Sequence, residues 1–296
     1  MAALTEFRPY VWSSQLIVNT DKAFVFGGLV NRKYEGEIRS FGQVLKISEI
    51  GDLSVSNYSE DTNITYATLT GANRDLVIDQ QKYVAFTVDD VLRAQVKVDA
   101  VSGAMTKASY ALADTIDQAI AAKYADAGIS TSGLGTASSS LSLYGAHTSS
   151  ASNMLGFLSR VNRYMDEANC PSMGRWIVVP PWLKSFMLYA QIVDKTSAGA
   201  MKTPYGLSSG TGFVGEVAGL NVFASNNVST NGTTQWRVMF GTSDAISFAG
   251  QIVKTEMGRH ENKFGEWVRM LYVYGIKVAR PDRLGVAYVD DAGLST

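Results

Sequence analysis

A literal G-x-G-x-x-G occupies residues 210–215, the spacing that in a dinucleotide fold lets the backbone approach a pyrophosphate. That chemistry needs a strand before the glycines, a helix after them and an acidic residue about twenty positions on. Here a polar loop precedes (205–209) and 216–222 carries no helical stripe, so the glycines read as a loop turning into a strand, and no cofactor is expected. Nucleophilic catalysis requires a base within hydrogen-bond reach of the nucleophile. Only two histidines exist: His147 lies in a serine-rich stretch and His260 in a charged run, 259–263. Both read as solvated loop residues. The single cysteine, Cys170, excludes an intramolecular disulfide and, with two distant histidines, lacks the ligand spacing of a zinc site. Carboxylate pairs occur at Asp89 and Asp90, Asp114 and Asp117, and Asp290 and Asp291. Asp114 and Asp117 would share a helix face at i and i+3, and they read as a solvated face rather than a metal site. The expectation is a protein with no catalytic residues, no metal and no enzyme activity.

The elements that carry these residues begin with an unusual ribbon. Between 37 and 50 the apolar Ile38, Phe41, Val44, Leu45, Ile47 and Ile50 alternate with Glu37, Arg39, Gln43, Lys46 and Glu49. Gly51 and Asp52 supply a turn, and weakly apolar runs follow through Val55 and Tyr58 and through Ile64, Tyr66 and Leu69, with Gly71, Ala72 and Asn73 as a stop. Such strands bury one thin face, and an isolated ribbon is marginal in water. A neighbouring subunit or a distant part of the chain is expected to cover it.

A strand follows at 83–88. The period then changes to three or four residues through Met105, Ala108, Leu112, Ile116, Ile120 and Tyr124, which predicts a helix over 103–127, a rod of ~35 Å. Gly128 fits its C-terminal cap. Residues 130–153, rich in Ser, Thr, Gly and Ala, read as a flexible connection and a domain boundary. Helical spacing returns at Met154, Phe157, Leu158, Val161 and Met165. The continuous apolar run Trp176, Ile177, Val178, Val179 suits a fully buried strand, and another helix runs through Trp182, Leu183, Phe186 and Met187. Strands are expected at 220–224, 236–240 and 267–279, with a last alternation at Leu284, Val286 and Tyr288.

At 296 residues the chain could hold one large or two smaller domains, and its net charge of −1 shows no basic excess for gripping nucleic acid. Residues 1–6 lack a basic region followed by an apolar one, and no apolar run reaches 18 residues. A soluble protein made in a cytoplasm, with no membrane partner, is expected.

Residues 7–13 (FRPYVWS), 29–38 (LVNRKYEGEI), 47–52 (ISEIGD), 78–83 (IDQQKY), 86–90 (FTVDD) and 110–114 (YALAD) occur in this order. As an ordered series they resemble the major capsid (coat) proteins of tailed bacteriophages, with the Hong Kong 97-type fold. The resemblance implies an α+β chain divided into an N-terminal arm (1–33), an extended β-hairpin loop (34–82), a peripheral domain with a long spine helix (83–130), an axial α/β domain (131–235) and the peripheral domain's C-terminal strands (236–296). It implies self-assembly as hexamers and pentamers into an icosahedral shell that encloses double-stranded DNA without sequence-specific binding, in a virion capsid assembled in host cytoplasm. Portal and decoration proteins are further partners it suggests. Because the matching residues begin at Phe7, a separately encoded scaffolding protein is expected.

Hairpin legs of roughly 15 residues would span ~50 Å and reach a neighbour. Glu35, Glu37, Arg39, Lys46, Glu49 and Asp61, with Glu256, Arg259 and Arg269 from the C-terminal strands, are the candidate intersubunit contacts. Each has a plain alternative as a solvated surface charge. An encapsulin-like cellular shell shares most of these features and would differ by its cargo; an oligomeric α/β enzyme would need a site that the sequence does not offer.

Overall fold

The computed structural model describes residues 25–35, 42, 44–50, 55–58, 60, 63, 66, 68, 71–89, 100–129, 132–143, 150–189, 212–217, 219–232 and 234–290. In chain order the elements are a single helical turn α1 (Phe26–Leu29), strands β1 (Val44–Ile50), β2 (Gly71–Val77) and β3 (Gln80–Asp89), the long helix α2 (Ala100–Ala121) and the short strand β4 (Leu141–Ser142). Next come α3 (Ser150–Glu167), β5 (Arg175–Val179), α4 (Pro181–Tyr189), β6 (Phe213–Val217), β7 (Leu220–Ala224), β8 (Gln235–Thr242), β9 (Ile246–Arg259), β10 (Gly265–Val278) and β11 (Leu284–Asp290).

Among the described residues three sheets form. A six-stranded mixed sheet has the order β4-β11-β8-β5-β7-β6, a three-stranded antiparallel sheet the order β3-β10-β9, and β1 and β2 form a two-stranded antiparallel ribbon. In the large sheet β5 runs parallel to β7 and β11 parallel to β4, while its remaining pairs are antiparallel. β5 is buried along its whole length because it lies centrally with both faces covered. Ile177 and Val179, with Val238, Phe240, Ala287 and Val289, face a core made with Phe157, Leu158, Val161 and Met165 of α3 and Leu183 and Met187 of α4. Trp176 and Val178 belong to a second core, with Ile116, Ile120 and Ala121 of α2, Phe26 of α1, and Ile246, Phe248, Tyr274 and Val278 of the three-stranded sheet. The spine helix therefore lies where the two sheets meet, and its stripe of Ile and Ala matches that position.

Several expectations change. Gly71, Ala72 and Asn73 do not stop a strand; they begin β2, in register with Ile50, Glu49 and Ser48 of β1. Pairing overrides the weak strand preference of Gly, Asn and Asp. Residues 55–58 belong to no strand and are exposed. Gly128 is not a left-handed cap, since the 3-10 turn after α2 ends on Ala127 in an extended conformation. Its missing side chain serves close packing, because a Cβ there would stand 2.8 Å from the Pro281 carbonyl, and its N–H donates to the Pro281 oxygen. The stretch 132–143 is not a loose connection: Leu134 and Leu143 are buried in the α3/α4 core, and β4 adds to the edge of β11. Finally, the strands between 235 and 290 fall in two sheets. β8 and β11 join the six-stranded sheet, whereas β9 and β10 pair with β3.

Candidate intersubunit surfaces

The ribbon is anchored at its root. Leu45 and Leu76, opposite one another, and the following Ile78 are buried against Ala249 and Val273 of the three-stranded sheet, with Tyr34, Ile47 and Leu271 packed around them. The other face of the ribbon presents Val44, Lys46, Asp75 and Val77, all exposed, with Lys46 directly opposite Asp75. Beyond the paired residues Val55 is 98% exposed, and Tyr58 and Tyr66 are also exposed. These side chains meet little of their own chain.

The arm root is a strap over the spine helix. The Asn31 N–H donates to the Ile246 carbonyl, and the Phe248 N–H donates to the Asn31 carbonyl, a single parallel bridge at the edge of β9. Beneath it Asp117 is fully buried. Its carboxylate accepts from the Gly27 N–H (3.2 Å) and from Asn227 Nδ2 (3.2 Å), and Asn227 also donates to Asp114 (2.8 Å). Burial pushes the Asp117 carboxyl above its ordinary value, although the bonds to Asn227 and to the backbone of Gly27, Phe26 and Val25 pull it back. Asp117 is thus no solvated surface charge but the post to which the arm root is tied. The signal that could have found it is its spacing: Ala113, Asp117 and Ala121 form an i, i+4 row of small residues beside the Ile116/Ile120 stripe.

The outer half of the three-stranded sheet is open on the face that the ribbon root covers further in. There Trp267 lies across Gly258, whose Cβ position would be 2.5 Å from the indole ring. The Arg269 guanidinium stacks on the indole, 4.7 Å from its centroid. Glu256 binds both Lys254 and Arg269, and these two cations, Lys254 foremost, hold its carboxyl below the usual range. Tyr83, which pairs with Leu271, is 77% exposed. A groove of 590 Å³ lined by Ala85, Thr87, His260, Trp267 and Arg269 runs beside them.

The structure brings only some candidate contacts together. Glu256 and Arg269 pair across adjacent strands of one chain, and Glu35 pairs with Arg32 at 2.8 Å. Lys46 sits on the outer ribbon face and Arg259 at the end of β9, both exposed. Glu49 lies in β1 opposite Ala72. Glu37, Arg39 and Asp61 fall outside the described residues, as do His147, Asp90 and Asp291. His260 is part of the β9–β10 turn, where its N–H donates to Gly265. The glycine motif leads into β6 through Gly212 at φ +70°, and a strand after the glycines leaves no helix N-terminus for a phosphate. Among the described residues no three His, Cys, Asp or Glu side chains are grouped to hold a metal ion, and no helix is long and apolar enough to cross a membrane.

Comparison with known proteins decides what these surfaces belong to. The family model described as phage capsid protein matches residues 74–289. The chain belongs to the phage capsid protein family. Among solved structures this capsid protein is similar to a chain from Mycobacterium phage Che8, at 27% identity and a TM-score of 0.72, covering 96% of this chain and 98% of that one. The capsid structure of cyanophage P-SCSP1u matches at 19% identity and TM-score 0.70 over 95% of this chain and 92% of that one. A capsid chain of cyanophage Pam1 matches at 13% and 0.61 over 99% and 100%. No curated protein matches. The α+β architecture is the Hong Kong 97-type capsid fold, and the chain is a major capsid protein that forms a shell.

Proposed function

We propose that this capsid protein assembles as hexamers and pentamers into an icosahedral shell enclosing double-stranded DNA, and that the ribbon of one copy lies on the open half of the three-stranded sheet of the next. The observation that carries the reading is that sheet face. Trp267, Tyr83 and Leu271 form an apolar platform flanked by a Lys254–Glu256–Arg269 cluster, directly outboard of the place where the chain's own ribbon root is seated. A ribbon with exposed Val55, Tyr58 and Tyr66 offers matching apolar and aromatic side chains. Heterologous contacts of this kind, each modest, sum over a closed assembly.

Under this reading the arm (1–33) and hairpin loop (34–82) are the reaching parts, β3, α2, β9 and β10 form the peripheral unit, and β4 to β8 with α3, α4 and β11 form the axial unit. Glu35, Glu37, Arg39, Lys46, Glu49, Asp61 and Arg259 are the charges that would settle against neighbours, while Glu256 and Arg269 would act as a pre-paired cluster. The net charge of −1 suits containment of a polyanion rather than tight binding. A separate scaffolding protein would set curvature during assembly in the host cytoplasm, with portal and decoration proteins as further partners, and the protein's role would be structural rather than enzymatic.

Electron microscopy of the purified protein, alone and co-expressed with its genomic neighbours, tests this. Closed shells of hexamers and pentamers are expected. A small discrete oligomer under both conditions would contradict it, and shells filled with a protein cargo instead of DNA would point to a cellular compartment.

A further inference from the structure

Where the ribbon leaves the body, its backbone rests on an absence. Gly275 of β10 has no Cβ, and a Cβ placed there would lie 2.4 Å from the Val77 carbonyl oxygen, 3.1 Å from its carbon and 3.2 Å from the Ile78 Cα. Across the sheet Gly275 pairs with Ala249 of β9, which is fully buried and packs in the cluster with Leu45, Leu76 and Ile78. Two small residues side by side thus form a seat for the chain at 77–78, just before β3 begins at Gln80. The incoming leg is fixed at the same point, since the Gly42 N–H donates to the Ile78 carbonyl (3.0 Å). Gly275 is not among the glycines with positive φ, so its own backbone would accept alanine. What alanine would disturb is the ribbon above it.

We propose that Gly275, with Ala249, is the positioning residue pair that sets the angle at which the ribbon leaves the subunit, and that this seat controls whether shells close with uniform curvature. The second half rests on the shell reading; the first does not. Ordinary contact begins at 3.4 Å, so Gly275→Ala must lift the ribbon backbone by about 1 Å at its root. A seven-residue strand extends ~23 Å outward at the usual rise, and a small tilt at the seat therefore becomes a displacement of several ångströms at the contact with a neighbour.

The test compares Gly275→Ala with wild type and with Gly156→Ala, a control in α3 where nothing lies within 4 Å of the new methyl. Hydrogen exchange of the unassembled chain reads the seat, and shell diameters by electron microscopy read the consequence. Gly275→Ala should keep the slow exchange of β5 and β8, speed exchange across 42–50 and 71–78 at least tenfold, and give open or variable shells, while the control matches wild type. Should Gly275→Ala fail to fold, Ala249→Ser, which adds one heavy atom to the other half of the seat, carries the same expectations. Unchanged ribbon exchange in a folded variant overturns the seat. Faster exchange with uniform closed shells overturns its control of curvature. Absence of shells from wild type would strike the shell reading instead, leaving the exchange result to judge the seat.

Discussion

Asp117 and Arg175 show how much a buried charge can organise. Arg175 is almost wholly buried and donates to the Pro171 carbonyl (2.8 Å), Asn162 (2.5 Å), Asp166 (2.7 Å) and the Cys170 carbonyl (2.7 Å). It joins the end of α3 to the start of β5. Its planar fork fits this set as a lysine could not, so both Arg175→Ala and Arg175→Lys should destabilise the unassembled subunit, the former by about 3 kcal/mol because the Pro171 and Cys170 carbonyls lose their donor, measured by urea unfolding. For Asp117 the sign follows from burial. A carboxyl raised in the fold binds its proton more tightly there than in the unfolded chain. Its contribution to stability is then fullest below the ordinary value of 3.8 and is lost as pH rises through the raised value. Asp117→Asn should remove that part of the pH dependence, so the wild-type melting temperature, relative to the variant's, should fall as pH rises from 4 across the acid range. A difference independent of pH would contradict this. Asp114, which shares Asn227, is the neighbouring carboxylate to substitute as a check.

At the scale of elements, strands with strong apolar content were legible and strands made by pairing were not. Trp176 to Val179 announced β5, the 220–224 run matches β7, and the three-to-four spacing from Ala108 to Ile120 announced α2. β9 was silent because Gly250, Gly258 and the charged Lys254 and Glu256 interrupt its alternation, and a register shift opposite Leu271 and Tyr272 inserts an extra residue. Its glycines are close-approach sites: a Cβ on Gly250 would meet Tyr272 and one on Gly258 would meet Trp267. Nor could alternation tell that β8 and β11 leave β9 and β10 for another sheet, since hydrogen-bond partners far apart in sequence leave no local mark. Asp117 was misread for the same reason, its partners being 90 and 110 residues away. At the ribbon root, Leu76→Ala should cost about 2–5 kcal/mol of local packing. Exchange of β1 and β2 amides should rise while that of β5 and β8 stays put, and equal loss across the molecule would show that the ribbon is not a separable layer.

For the whole molecule, the composition and charge fit a shell subunit, and the ordered motifs pointed to the family that the match over 74–289 establishes. The open sheet face is where assembly should be most sensitive. Trp267→Ala leaves both main cores intact, since Trp267 belongs to neither, and so should leave the subunit's melting temperature within a few degrees while reducing the yield of closed shells severalfold, measured by sedimentation. The most direct measurement is a side-chain-resolution electron-microscopy map of the assembled shell. The Tyr83, Trp267 and Arg269 face of each subunit should be covered by the ribbon of a second copy. A map in which that face looks onto solvent, or is covered only by its own chain, would contradict it.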